Sequence, residues 1–265
     1  MLRGGHGSLR LYIIHLPDRK DRAHNVMKLT QAAQALGLHV VLVPAVDRRS
    51  CAAMAVRSFH DWSHKSFKRD YLRPGEQGCL LSHLSVWKDI HDNPGPALVV
   101  EDDCLLSQEN LATFRALAGD RNNEREVYHG FVSKPALMPA TRLEPISDSW
   151  QVFSTPQYTT SCYLLTDAAG RALWPWAEEV MSRAWALPSD DLLSAACNAH
   201  PELLALPKGV LRGLRGPTLS HRLRSASDTE TPASNHPQAC SDFWHQYDLL
   251  RSQHTEVSFL SKLFA

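Results

Sequence analysis

Two short apolar runs, Leu11-Tyr-Ile-Ile-His-Leu16 and His39-Val-Val-Leu-Val43, flank a stretch whose apolar residues recur at helical spacing. This alternation limits the chain to few folds. The first run reads as a buried strand, bounded by Pro17 and the charged segment Asp18-Arg-Lys-Asp-Arg22. Val26, Met27, Leu29, Ala33 and Leu36 mark a helix that Gly37 stops, and Pro44 ends the second strand. Strand, crossover helix and strand in this order predict an α/β domain with parallel pairing.

Residues 47–73 are polar and irregular, with one short helical segment expected at 51–57. Pro74 opens a helix over 75–91 whose apolar stripe is Cys79, Val86, Trp87 and Ile90, with His83 on the same face. Asn93-Pro-Gly-Pro96 breaks it, and 97–100 is a third strand. Ser107 can cap a helix to Leu117, and 127–132 reads as a strand. Residues 133–150, with three prolines and little periodicity, read as a long loop. Further strands and helices are expected at 161–166, from Asp167 to an interruption at Pro175, and from Ser189-Asp-Asp191 to Asn198. Residues 225–235 are polar, and Phe259, Leu260, Leu263 and Phe264 form the stripe of a terminal amphipathic helix. No internal repeat or sharp boundary divides the chain. We read 1–265 as a single domain, with successive parts at 8–132 and 133–224, and a linker and helix at 225–265.

Lys+Arg and Asp+Glu are both 28, and this zero net charge argues against a nucleic-acid binder. The cysteines at 51, 79, 104, 162, 197 and 240 show no C-x-x-C spacing and read as reduced buried thiols. The run at 11–16 is too short for a secretory signal, and no run approaches a membrane span, so the expected compartment is cytoplasmic.

The third strand runs straight into Glu101-Asp102-Asp103. Side chains alternate along a strand, so Glu101 and Asp103 should point one way and Asp102 the other. Ligands of open α/β sheets collect beyond the carboxyl ends of strands. Mg2+ or Mn2+ takes carboxylate and phosphate oxygens together, so Glu101-x-Asp103 suits a metal that bridges protein and diphosphate. The same residues also suit a solvated acidic turn before the next helix. The glycines at 75 and 78 open a helix whose free N–H groups favour an anion. His83 fits either a ligand or a hydrogen-bonded core residue. His60 and His64 have helical metal-ligand spacing but lie in a polar stretch, and read as surface.

Three segments, in order, resemble glycosyltransferase family 25, which includes lipopolysaccharide and collagen β-galactosyltransferases. They are Tyr12-Ile-Ile-His-Leu-Pro-Asp-Arg-Lys-Asp-Arg22, Arg73-Pro-Gly-Glu-Gln-Gly-Cys-Leu-Leu-Ser-His-Leu-Ser-Val-Trp87 and Leu98-Val-Val-Glu-Asp-Asp103. The middle one is similar to the family's Gly-Glu-x-Gly-Cys-x-x-Ser-His pattern, and a weaker likeness continues through 161–169 and 187–192.

The resemblance implies a GT-A-type fold, a Rossmann-like mixed sheet flanked by helices, which uses a UDP-sugar donor and Mn2+ or Mg2+. It implies an inverting transfer of a sugar, galactose, to a hydroxyl acceptor such as lipopolysaccharide or another glycan. That chemistry needs a cation on the leaving diphosphate and a general base on the acceptor. Carried onto this chain, the metal ligands are Asp103, Glu101 and the late His221. Arg19, Arg22, Asp47, Glu76, Ser82, His83, Glu101 and Asp102 line the donor site. The base is Asp190, with Asp191 beside it, although Ser189-Asp-Asp191 is equally a capped acidic helix start. His15 departs from the family's usual Asn. The C-terminal apolar stripe reads first as a helix packed on its own domain; with Arg222, Arg224 and Lys262 it also suits contact with a membrane-bound acceptor at the inner face of the membrane. A metal-dependent nucleotidyl- or phosphoryl-transfer enzyme, or an inactive sugar-nucleotide-binding module, would use the same residues.

Overall fold

The computed structural model describes residues 8–47, 74–119, 127–129, 144–147, 150–152, 160–183, 189–190, 192–193, 196 and 204–207. Strands β1 (Arg10–His15), β2 (His39–Pro44), β3 (Ala97–Glu101), β4 (Val127–His129), β5 (Glu144–Ser147), β6 (Trp150–Val152), β7 (Cys162–Leu165) and β8 (Leu204–Pro207) form one sheet in the order β2-β1-β3-β7-β4-β8-β6-β5. Helices α1 (Lys20–Ala35), α2 (Pro74–Asp92), α3 (Gln108–Gly119) and α4 (Asp167–Arg183) connect the strands. β1, β2 and β3 pair in parallel, whereas β7 runs antiparallel to both β3 and β4. This is the α/β, Rossmann-like mixed sheet flanked by helices that the family resemblance implies.

Central strands covered on both faces read as unbroken apolar runs, and β1 and β3 show why. Leu11, Ile13, Leu98 and Val100 face a core with Val26, Leu29 and Ala33 of α1 and Leu111 and Phe114 of α3. Tyr12, Ile14, Ala97 and Val99 face Leu80, Leu84, Trp87 and Ile90 of α2 and Leu173 and Ala177 of α4. Met27, expected on the α1 stripe, is instead 43% exposed, because it sits one residue off the buried Val26. Gly37 ends α1 at φ +69°, and the N–H groups of Gly37 and Leu38 donate to Gln34 O and Ala33 O. Those two bonds close the helix end in the left-handed turn that glycine favours. At α3, Ser107 Oγ accepts from Asn110 N at 3.1 Å while Asn110 Oδ1 accepts from Ser107 N at 3.0 Å, a reciprocal cap.

Two expectations are corrected. Residues 133–150 are not one loop: β5 lies inside them and β6 begins at Trp150, joined by backbone pairing that carries no apolar alternation to read. Pro175 does not interrupt α4, which continues to Arg183. A proline removes the N–H that would bond the carbonyl four residues earlier. Here that carbonyl, Arg171 O, accepts from His91 Nδ1 at 3.0 Å. α2 thus supplies the hydrogen bond that Pro175 cannot make.

The expected helix at 51–57, the His60 and His64 pair, Asp191, His221 and everything from 208 onward lie outside the described residues. Among the described residues, no helix is long and apolar enough to cross a membrane.

Candidate active site

Parallel pairing brings the carboxyl ends of β1, β2 and β3 to one edge of the sheet, with Ile14 opposite both Val43 and Glu101. Because β7 is antiparallel to β3, its amino end meets the same edge, and Ser161 O accepts from Glu101 N at 2.9 Å. The edge therefore gathers His15, Asp47, the three carboxylates and Thr160.

Glu101 and Asp102 separate as strand alternation dictates, whereas Asp103, past the end of β3, shares Arg22 with Asp102. Asp102, buried on the α1 side, accepts from His15 Nδ1 at 2.8 Å, from Leu16 N at 3.1 Å and from Arg22 Nη1. Burial alone would raise its pKa, but the His15 hydrogen bond and the Arg22 guanidinium outweigh it and hold the carboxyl below its ordinary value. Asn25 Nδ2 donates to Asp102 O and Cys104 O, at 2.8 and 2.9 Å, which fixes the turn itself.

Glu101 points to the α2 side. Its Oε1 accepts from His83 Nε2 at 3.3 Å, with Thr160 Oγ1 at 3.2 Å and Cys79 Sγ at 4.0 Å from it. His83 is buried, and its other ring nitrogen lies 2.9 Å from Tyr163 OH, which also accepts from Trp87 Nε1 at 2.7 Å. An indole only donates, so Tyr163 OH accepts from Trp87 and can donate to His83 Nδ1. In that tautomer the imidazole proton sits on Nε2, aimed at Glu101.

Asp103 is buried yet incompletely partnered. Arg22 Nη2 lies 3.4 Å from its Oδ2, while Oδ1 finds no partner among the described residues. Burial, with the adjacent Glu101 charge, pushes its carboxyl up to about 6.

Asp190 faces the same edge from the far side. Its Oδ1 accepts from both Thr160 N and Thr160 Oγ1, each at 2.7 Å. Burial and the Glu101 charge raise its pKa, against those two hydrogen bonds. Ser189 Oγ, 3.1 Å from both Thr160 Oγ1 and Cys79 Sγ, closes the network.

Residues 9–193 match the family described as "Glycosyltransferase family 25 (LPS biosynthesis protein)". The chain belongs to glycosyltransferase family 25. It is 31% identical over 104 residues to mouse procollagen galactosyltransferase 2, a match covering 37% of this chain and 16% of that protein. It is 33% identical over 103 residues to a glycosyltransferase 25 family member of Aedes aegypti, covering 37% and 16%. The chain thus matches about a sixth of the length of these relatives. A solved glycosyltransferase involved in glycosylation of the major capsid of PBCV-1 is similar with a TM-score of 0.44 and 8% identity, covering 76% of this chain and 81% of that one.

Within this family-25 chain, Glu101, Asp102, Asp103, His83 and Asp190 converge on one sheet edge. Arg22 reaches it too, but as the ion-pair partner of Asp102 and Asp103. Arg19 sits at the start of α1, held by Asp21 through Nε at 2.8 Å and Nη2 at 2.6 Å. Ser82 is buried, donates to Gly78 O at 2.7 Å and accepts from Val46 N at 2.8 Å. It therefore pins the segment after β2 that carries Asp47, which is half-buried, as is Glu76 in the first turn of α2. Thr160, Tyr163, Ser189 and Cys79 were not among the expected site residues: Ser189 read as a helix cap and Cys79 as part of the α2 stripe. Only Cys79 carried a signal, its place four residues before His83 on α2.

Asp103 and Glu101 offer oxygen donors of the kind a hard divalent cation takes. Asp103 Oδ1 is a buried acceptor without a partner among the described residues, and Arg22 is the Lys or Arg ion-paired to these carboxylates there. One guanidinium against three carboxylates leaves negative charge uncompensated.

Proposed function

We propose that this chain is an inverting glycosyltransferase that moves a sugar, galactose, from a UDP-sugar to a hydroxyl acceptor on lipopolysaccharide or another glycan. Membership of family 25 and the galactosyltransferase named among its relatives support the sugar-transfer reading. The observation that carries it is Asp103, whose buried Oδ1 lacks a partner at a strand end where sheet folds collect ligands. Asp103 and Glu101 would hold Mn2+ or Mg2+, which when bound neutralises charge on the leaving diphosphate.

The chain's own residues supply the rest. Arg22 and His15 fix Asp102, and so the backbone that aims Asp103. Thr160 directs both of its donors to Asp190 Oδ1, which leaves Oδ2 for the proton of an incoming acceptor hydroxyl. A base raised by burial takes that proton more readily. Asp47 and Glu76, both half-buried, would contact the donor. The reaction would take place in the cytoplasm, at the inner face of the membrane when the acceptor is lipid-linked.

The test is a donor screen with Mn2+ present. UDP release from UDP-galactose is expected, lost in Asp103→Ala. In Asp190→Asn, transfer should fall about 10²–10⁴-fold with donor binding retained. Cleavage of nucleoside triphosphates without sugar preference would replace this reading with phosphoryl transfer. Tight UDP-sugar binding with no turnover on any acceptor would make the chain a binding module.

A further inference from the structure

We propose that Cys79, His83 and Glu101 form a soft cation site that takes Zn2+ or another thiophilic divalent ion, sharing Glu101 with the hard-cation site proposed at Asp103. One ligand atom from each residue lies within 4.8 Å of the other two. Cys79 and His83 are four residues apart on α2 and so share one face, and Glu101 reaches that face from the end of β3. Tetrahedral zinc, with bonds of about 2.3 Å to sulfur and about 2.0–2.1 Å to nitrogen and oxygen, needs ligand atoms roughly 3.3–3.6 Å apart. The His83 Nε2 to Glu101 Oε1 edge is 3.3 Å, already of that length. The Cys79 Sγ to Oε1 edge is 4.0 Å, and a small side-chain rotation closes it. Ser189 Oγ, 3.1 Å from Sγ, marks the direction of a fourth ligand, itself or a water.

The chemistry of the donors separates the two sites. Asp103 with Glu101 offers oxygen alone, which suits Mg2+ or Mn2+, whereas a thiolate and an imidazole added to Glu101 select Zn2+. The surroundings also match a ligating histidine, whose second nitrogen normally has a hydrogen-bond partner that sets its orientation. Tyr163 OH, held by Trp87, is that partner. When Nε2 takes the ion, the imidazole proton moves to Nδ1 and donates to the Tyr163 oxygen, while the thiol proton leaves to solvent. Two anionic ligands then balance the divalent charge. Cys79 and Glu101 are both half-buried, so the ion has a side from which to enter.

The test is Co2+ titration of the chelator-stripped full chain, read by absorbance. A sulfur-to-cobalt charge-transfer band is expected, saturating at one ion per chain and bleached by Zn2+. Asp103→Asn should keep the band and Cys79→Ser should lose it. Absence of the band in the unmodified chain, or its survival in Cys79→Ser, overturns the proposal. A second measurement needs no variant: Zn2+, but not Mg2+, should slow alkylation of Cys79 at least tenfold by peptide mapping. Equal rates in the two metals overturn it as well.

Discussion

Asp103→Asn should stabilise the metal-free protein while destroying the hard-cation site. Asp103 is 4% exposed, and burial with the Glu101 charge raises its carboxyl from 3.8 to about 6. A carboxyl raised in the folded state is protonated more readily there than in the unfolded chain. Its protonation therefore favours folding below the unfolded pKa, and that advantage is lost as pH rises through 3.8 to about 6. At 1.36 kcal/mol per unit, the ionised group costs the fold about 3 kcal/mol above that window. Asparagine carries no charge at any pH and can still accept from Arg22. The variant should therefore be more stable by about 1–3 kcal/mol near pH 7.5, allowing for its altered Arg22 contact. About 1.4 kcal/mol of that gain should vanish on moving to about pH 5. Urea unfolding of both proteins with chelator present, at the two pH values, measures the gap. Adding Mn2+ should raise only the unsubstituted chain, because an ion that binds the native state alone stabilises it by mass action. A variant that is less stable near pH 7.5 without metal, or a gap that does not narrow at lower pH, would refute the uncompensated-charge account.

Gly170→Ala should lower stability by about 1–3 kcal/mol in urea unfolding, since the new Cβ would sit 2.4 Å from Ile90 Cγ2 where α2 crosses α4; an unchanged midpoint would mean the helices separate freely. Asp102→Ala should cost about 3–5 kcal/mol, because Arg22 and the Leu16 N–H lose a buried acceptor. Thr160→Val should move the acid limb of the pH–rate profile upward. The lost hydroxyl favours the ionised form of Asp190, so its removal raises that pKa further. A limb that stays in place or moves down would separate Asp190 from the titrating base.

The first half of the fold was legible because β1, α1 and β2 each express one period of hydrophobicity, and Gly37 and Pro44 punctuate them. The α2 segment was legible through its motif, and the strand into Glu101 through its apolar run. β5, β6 and β8 were not. Each is three or four residues long and pairs through backbone, so side-chain pattern carries no trace of it. Thr160 was hidden for a different reason. Its place beside Glu101 follows from the antiparallel insertion of β7 next to β3, a fact of topology and not of local sequence. Arg22 was legible as a cation near a ligand edge, but its partners lie eighty residues away, and only the β1–β3 register brings them together.

The register also explains why three adjacent carboxylates can coexist. Alternation along β3 sends Glu101 toward α2 and Asp102 toward α1, so each meets a histidine from a different element, His83 and His15. Asp102 is further neutralised by Arg22 and serves as structure. Glu101 accepts from His83 and faces the side that holds Cys79 and Asp190. Asp103 lies beyond the strand, where neither helix provides a full counter-charge. A fold that satisfied all three would be more stable and would have nothing left with which to bind a cation. On the proposed reading the deficit at Asp103 is what a cation would answer, and the His15–Asp102–Arg22 cluster behind it keeps that deficit in place.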